Sequence, residues 1–248
     1  MAAVTFEHAQ PAEGSPSLRA ARRSARLVGI LGRLLAAASA EGPVQPSVHA
    51  ERAARTARAI LRGHGVDVGS AGPVPDGPWI VVSNHISYLD PLVVTSVVPC
   101  IAIAKGETSS WPLVGPGLRA LGVVFVRRGD AHSGAVALRQ AGRVLRSGVS
   151  VLNFPEGTTS DGRSVGPFKR GVFGLAALTG TPILPIRLAF ADARVPWIGG
   201  ATFTPHYWKL AGVERVTAHV RIGPAIEARR GDDARALARR VRDIVASL

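Results

Sequence analysis

Two residues with complementary acid–base chemistry stand five apart at the end of a short apolar run. His85 follows Trp79-Ile80-Val81-Val82-Ser83-Asn84, and Asp90 comes after Ile86-Ser87-Tyr88-Leu89. A carboxylate folded back onto one imidazole nitrogen fixes the tautomer and leaves the other nitrogen to take a proton from a substrate hydroxyl. Such a pair is a general base without a nucleophile of its own. The same two residues also suit a structural role, since polar side chains at a strand–helix junction often cap the helix that follows. The spacing alone does not choose between these roles; the position at a strand end favours the first.

Further along the chain, three more apolar runs end in charged or glycine-rich residues. Residues 100–104 lead into Lys105-Gly106-Glu107, so Lys105 can meet a phosphate or a thioester carrier, or simply pair with Glu107 at the surface. Residues 122–126 lead into Arg127-Arg128, and adjacent guanidinium groups match phosphate oxygens in a bidentate way. Residues 149–154 lead into Pro155-Glu156-Gly157-Thr158-Thr159-Ser160-Asp161-Gly162. There Gly157 can bring backbone close to a ligand and the hydroxyls can bond phosphate or carbonyl oxygen, while Asp161-Gly162 also reads as an ordinary turn.

Other chemistries lack their residues. There is no G-x-S-x-G elbow for a serine hydrolase and no G-x-x-x-x-G-K-[ST] loop for a nucleotide hydrolase. No second His or Cys lies close enough in sequence to His85 to suggest a zinc site, and the single Cys100 excludes an internal disulfide framework.

For the four strand ends to act together they must share one edge of a sheet. The carboxyl edge of an open α/β sheet is where such folds build ligand sites. The periodicity supplies the strands and the helices between them. Strands are expected at 79–82, 100–104, 122–126, 149–154, 182–189 and 213–222, and helices at 91–98, 133–147, 171–179 and 232–248. Residues 111–121 read as a loop with a short helix, and 197–210 as irregular chain rich in Trp197, Phe203, Tyr207 and Trp208. That aromatic cluster suits a pocket wall, a bilayer interface or plain core packing. The fold class is α/β, a mixed and largely parallel central sheet flanked by helices and preceded by an N-terminal helical hairpin. Residues 1–16 are expected to be mobile, 17–64 to form the helical hairpin, and 65–248 the main domain.

The hairpin carries much of the charge. Its first helix, 18–40, sets Arg19, Arg22, Arg23, Arg26 and Arg33 among Leu27, Val28, Ile30, Leu31, Leu34 and Leu35. A basic helix with an apolar face can lie in a membrane interface, or it can pack on the core. No run reaches the roughly 18 apolar residues of a membrane-spanning helix, and no secretory signal reads cleanly. A net charge of +13 calls for an acidic partner: nucleic acid, an anionic membrane surface or a phosphorylated substrate. Aromatics at 5% are sparse for a base-stacking surface and no nucleic-acid-binding signature appears, so nucleic acid is the weaker reading. Only three of the 30 basic residues are lysine, which points to GC-rich codon bias behind part of the arginine count.

The ordered series of motifs resembles the glycerolipid acyltransferases typified by 1-acylglycerol-3-phosphate acyltransferase. The resemblance covers about residues 79–190. It rests on Asn84-His85-Ile86-Ser87-Tyr88-Leu89-Asp90, Lys105-Gly106-Glu107, Gly122-Val123-Val124-Phe125-Val126-Arg127-Arg128, Phe154-Pro155-Glu156-Gly157-Thr158, Phe168-Lys169-Arg170-Gly171 and the strand holding Pro185. It implies transfer of a fatty acyl group from acyl-coenzyme A or acyl carrier protein, as co-substrate, to the hydroxyl of a lysolipid, with no metal or other cofactor. Under it His85 is the base and Asp90 orients it. Asn84, Lys105, Arg128, Phe154, Pro155, Glu156, Gly157 and Thr158 bind substrate, and Pro185 shapes the site.

The acceptor implied first is 1-acyl-sn-glycerol-3-phosphate, giving phosphatidic acid. Two departures bear on it. Thr159 stands where the family pattern has an arginine after Glu-Gly-Thr, and Arg127 stands where an acidic residue is usual. The Thr-Thr-Ser-Asp-Gly version looks like members that acylate lyso-ornithine lipid, which is the rival acceptor. The expected location is peripheral, on the cytoplasmic face of the cell membrane. A rival of another class is a non-catalytic membrane-docking protein that keeps the fold.

Overall fold

Ile80, Val81 and Val82 have no exposed surface, a condition met only by a strand covered on both faces. The computed structural model describes residues 15–127 and 129–248. Its elements in chain order are α1 (Pro16–Ala40), α2 (Pro46–Gly63), β1 (Val66–Ala71), β2 (Ile80–Ser83), α3 (Asp90–Val97), β3 (Cys100–Lys105), a 3₁₀ turn (Gly106–Ser110), α4 (Val114–Ala120) and β4 (Val124–Val126). They continue with α5 (Ala131–Arg146), β5 (Ser150–Asn153), α6 (Gly171–Thr179), β6 (Ile183–Phe190), α7 (Phe203–Ala211), β7 (Val216–Ile222) and α8 (Ala234–Ser247).

The seven strands form one sheet in the order β1-β7-β6-β2-β5-β3-β4. Strands β6, β2, β5, β3 and β4 run parallel, while β7 is antiparallel to β6 and pairs in parallel with β1. The α/β class and largely parallel sheet read from the sequence are the ones found. Successive β2 side chains go to opposite faces: Val81 packs with Leu89, Val93 and Leu61 on one, Ile80 and Val82 with Phe173, Val241 and Leu145 on the other. Helices α2, α3 and α7 therefore cover one face, and α5, α6 and α8 the other.

Three segments depart from the expectations. Strand β1 was not foreseen, because Asp67, Gly69 and Ser70 interrupt the apolar pattern. It is an edge strand that pairs with β7 alone and needs no buried run. Within residues 197–210, expected to be irregular, α7 (Phe203–Ala211) begins. Pro205 lies in its first turn, where its missing N–H breaks no intrahelical bond. Pro16, expected at the end of a mobile stretch, instead opens α1, and the Ser15 hydroxyl accepts from Leu18 N; residues 1–14 lie outside the described residues.

Helix α1 is anchored through two of the arginines that read as a membrane face. Arg19 Nη1 donates to Gly212 O at 2.7 Å. Arg23 donates to Ala211 O at 3.1 Å, to Glu214 O at 2.8 Å and to Val213 O. Ala211 O and Gly212 O close the C-terminal end of α7, where carbonyls lack intrahelical donors and carry the negative end of the dipole, and Val213 O and Glu214 O follow directly in the turn to β7. Arg22, Arg26 and Arg33 remain exposed, with Leu18 and Val28 beside them on the helix. Among the described residues no helix is long and apolar enough to cross a membrane.

Candidate active site

Strand β2 ends in a side chain that continues its ladder. Asn84 is wholly buried; its Nδ2 donates to Leu188 O at 3.0 Å and its Oδ1 accepts from Leu188 N at 2.7 Å. The amide thus acts as one more peptide unit between β2 and β6 and sets the direction in which the chain leaves the sheet.

That exit delivers His85 to the edge. Its Nδ1 lies 2.7 Å from Asp90 Oδ2, and since an ionised carboxylate only accepts, the proton is on Nδ1 and Nε2 is left as the acceptor. Asp90 has no exposed surface and opens α3. The same oxygen also accepts from Ile86 N and, at 2.9 Å, from Ser87 N, so the loop 85–90 closes around it. The geometry is that of an imidazole oriented by a carboxylate, and the same carboxylate also organises the turn into α3.

A second loop clamps the histidine from the other side. Glu156, buried, accepts from His85 N at 2.8 Å and from Gly166 N at 2.9 Å. Ser160 donates to His85 O through both its N, at 2.8 Å, and its hydroxyl, at 3.1 Å. Phe154 stacks on the imidazole with ring centroids 4.3 Å apart and planes tilted by 19°. Backbone, ring plane and tautomer of His85 are therefore each held by a separate contact, and 15% of its side chain stays open.

The open part faces a cavity of ≈ 830 Å³ lined mostly by apolar side chains. At the sheet edge its wall includes Lys105, Phe154, Pro155, Gly157 and Thr158, all expected from the sequence, together with Arg127, Thr159 and Lys169. Three expected substrate-binding residues lie elsewhere. Asn84 is consumed by Leu188; Glu156 is turned behind the loop; and Pro185 sits inside β6 opposite Val82, packed toward Gly223. None of the three lines the cavity, so their contribution is to its frame. Arg128 lies outside the described residues. Lys105 pairs with Glu107 at 3.2 Å, the surface pairing weighed against a ligand role, although it remains on the wall.

The far end of the cavity lies among α1, α2, α4 and α7. Leu27 and Leu31 of α1, Ala53, Ala57 and Leu61 of α2, and Leu118 of α4 line it. Trp111, Trp197, Phe203 and Tyr207 add aromatic wall, while Trp208, grouped with them in sequence, is 45% exposed and off the wall. Tyr88, inside the His85–Asp90 loop, joins this wall edge-on against Trp197 and Phe203 at 5.6 and 5.1 Å. Its hydroxyl donates to His206 Nδ1 at 3.1 Å, because His206 Nε2–H is given to Pro196 O at 3.2 Å. Burial pushes the Tyr88 hydroxyl well above its ordinary range.

His64 was not anticipated and sits on the wall at this apolar end. Its Nδ1–H goes to Ile60 O at 2.8 Å and its Nε2 accepts from Tyr207 at 3.0 Å, while burial lowers its pKa and keeps the ring neutral. Its signal in the sequence was faint: a lone histidine beside a helix-ending glycine. Cys100, also on the wall, is a protonated thiol, burial having pushed it up to about 12. Among the described residues no cluster of three His, Cys, Asp or Glu side chains is placed to hold a metal ion.

The arrangement is suited to removing a proton from a hydroxyl brought to His85 beside a long apolar chamber. Comparison with known proteins gives this geometry a family. The family model described as Acyltransferase matches residues 65–189. The lyso-ornithine lipid O-acyltransferase of Pseudomonas aeruginosa is 30% identical over 184 residues, covering 72% of this chain and 70% of that protein. A 1-acyl-sn-glycerol-3-phosphate acyltransferase of Neisseria meningitidis is 28% identical over 190 residues, 73% of each chain. In fold, the crystal structure of the 1-acyl-sn-glycerophosphate (LPA) acyltransferase of Thermotoga maritima superposes with a TM-score of 0.69 over 94% of this chain and 92% of its own, at 22% identity. By the span of the family match and the extent of its relatives, this chain belongs to the acyltransferase family.

Proposed function

We propose that the protein transfers a fatty acyl group from a coenzyme A or acyl carrier protein thioester to the hydroxyl of a lysolipid. His85 is the base and Asp90 the residue that holds it in the working tautomer. The observation that carries this reading is the 2.7 Å contact between His85 Nδ1 and Asp90 Oδ2, at the edge of a chamber lined by apolar helices. Nε2 takes the acceptor hydroxyl's proton as that oxygen attacks the thioester carbonyl; the tetrahedral intermediate collapses to the ester, and the thiolate leaves with the proton returned by Nε2. No acyl-enzyme is needed, which agrees with a site that pairs a base with no side-chain nucleophile. The Thr158 hydroxyl, on the cavity wall, is a donor to the oxyanion.

For the acceptor we favour lyso-ornithine lipid. The Thr159 hydroxyl, at the position of the family's arginine, donates to Trp197 O, and Trp197 N donates to Ile86 O at 2.9 Å. The position that would offer a guanidinium to a phosphate is thus used to fasten the aromatic wall to the loop 85–90. The relative from Pseudomonas aeruginosa, named for that acceptor, supports the same choice. The second reading is 1-acyl-sn-glycerol-3-phosphate, favoured by Arg127 and Lys169 on the wall and by the Neisseria relative. The exposed Leu18, Val28, Arg22, Arg26 and Arg33 of α1 support peripheral attachment to an anionic membrane surface, on the cytoplasmic face.

The test is thiol release from palmitoyl-coenzyme A by the purified protein with each lysolipid in parallel and His85→Ala as control. We expect acceptor-dependent release that falls at least about 10³-fold in the variant. Release without acceptor would make the protein a thioesterase. No release with either donor, coenzyme A or carrier protein, would favour membrane docking without catalysis.

A further inference from the structure

Three described cations stand on the cavity wall, and two of them already have a carboxylate. Lys105 is paired with Glu107 at 3.2 Å and Arg127 with Asp130 at 3.3 Å. The ammonium of Lys169 makes no hydrogen bond or ion pair with any described residue. Glu156, which precedes the Gly157 that Lys169 crosses, already accepts from His85 N and Gly166 N.

The backbone is shaped to bring this lysine to the site. Lys169 N donates to Pro155 O at 2.9 Å, which ties the segment before α6 to the end of β5. From there the side chain runs across Gly157: a Cβ on that residue would lie 2.5 Å from Nζ, 3.0 Å from Cε and 3.3 Å from Cδ. Gly157 has φ +72, and it is this conformation that asks for glycine here, since the flexible end of Lys169 would shift aside from a Cβ. The residue over which the ammonium lies is bonded in turn to Phe154, Gly157 N to Phe154 O at 3.1 Å, and Phe154 carries the ring stacked on His85.

We propose that Lys169 is the ligand of the acidic head group of the acceptor, holding its anion while the hydroxyl reaches His85. The proposal rests on the lysolipid reading above and adds the residue that recognises the acceptor. A lysine is a compact point charge, without the fork by which arginine grips two phosphate oxygens. It therefore serves a carboxylate, as in lyso-ornithine lipid, or a phosphate, as in lysophosphatidic acid, and the two arms of the experiment separate them.

The experiment compares the wild type with Lys169→Met and Lys169→Arg, using both lysolipids and palmitoyl-coenzyme A. The expected result for Lys169→Met is a rise of the acceptor KM by about tenfold or more, with the donor KM changed less than about twofold and most of the loss recovered in Lys169→Arg. A rise in donor KM instead would assign the lysine to the phosphates of coenzyme A. A fall in kcat with both KM values unchanged would make it a support for Glu156 and the His85 loop. Either result overturns the proposal. Calorimetric titration with each lysolipid, below its micelle concentration, reads binding without turnover. If the wild type binds one and Lys169→Met binds it equally, the lysine assignment alone fails; if the wild type binds neither, the lysolipid reading fails with it.

Discussion

The two ends of the cavity are built on opposite terms. At the sheet edge, His85, Asp90, Glu156 and Ser160 come from two short loops, and the polar atoms that orient the imidazole are bonded at distances between 2.7 and 3.1 Å. At the far end the wall is assembled from α1, α2, α4 and α7 by apolar contact, with His64 and Tyr207 bonded to each other. The first end fixes a direction and the second provides a volume. Proton transfer tolerates little error in donor–acceptor geometry, whereas an alkyl chain asks only for apolar surface and room.

The largest expected effect lies at the ordered end. Asp90→Asn keeps the shape of the loop but puts a neutral amide where the imidazole is oriented, and its NH₂ competes with Nδ1–H. Acyl transfer should fall about 10³- to 10⁴-fold while the circular dichroism spectrum is unchanged. A variant that kept a tenth of the activity would erase the distinction, because orientation of His85 would then matter no more than filling space.

Asn84→Ala sharpens the same contrast through stability. It leaves Leu188 N and Leu188 O buried without partners, at a cost of about 1–3 kcal/mol for each group. Urea unfolding should register a loss of about 2–6 kcal/mol. A loss below about 0.5 kcal/mol would mean that the side chain is not the ladder's last rung.

The smallest effect belongs to the apolar end and depends on pH. Burial depresses the pKa of His64 in the folded protein, so the unfolded chain binds the extra proton more readily. The stability that follows is fully present above the ordinary histidine pKa of about 6.5 and is lost as pH falls below it toward the folded value. Thermal unfolding between about pH 7.5 and about pH 5.5 should show a Tm of the wild type that drops by a few degrees more than that of His64→Phe. Equal slopes would mean that burial does not lower the His64 pKa on folding.

The same contrast decides what could be read in one dimension. The ordered end is legible because its parts are local: only four residues lie between His85 and Asp90, and a strand that stops in polar residues announces an edge. The function of Asn84 was not legible, since its partner Leu188 is 104 positions away and an asparagine beside a histidine looks like part of the ligand site. The apolar end was legible only as a list of hydrophobic residues. Nothing local tells Trp197, which walls the cavity, from Trp208, which does not. Arg19 and Arg23 show the converse: their charge suggested lipid, but the carbonyls they serve belong to a helix almost two hundred residues downstream.

That clamp bears on where this chain can be cut. The family match begins at residue 65, which invites a shortened protein freed of its basic, apolar leading helices. Such a truncation would take away the guanidinium groups that finish α7, and with them Leu27, Leu31, Ala53, Ala57 and Leu61 from the chamber. What remained would keep His85 and Asp90 beside a breached compartment. The boundary of the family match is therefore not the boundary of a working unit, and a shortened protein has to keep α1 and α2.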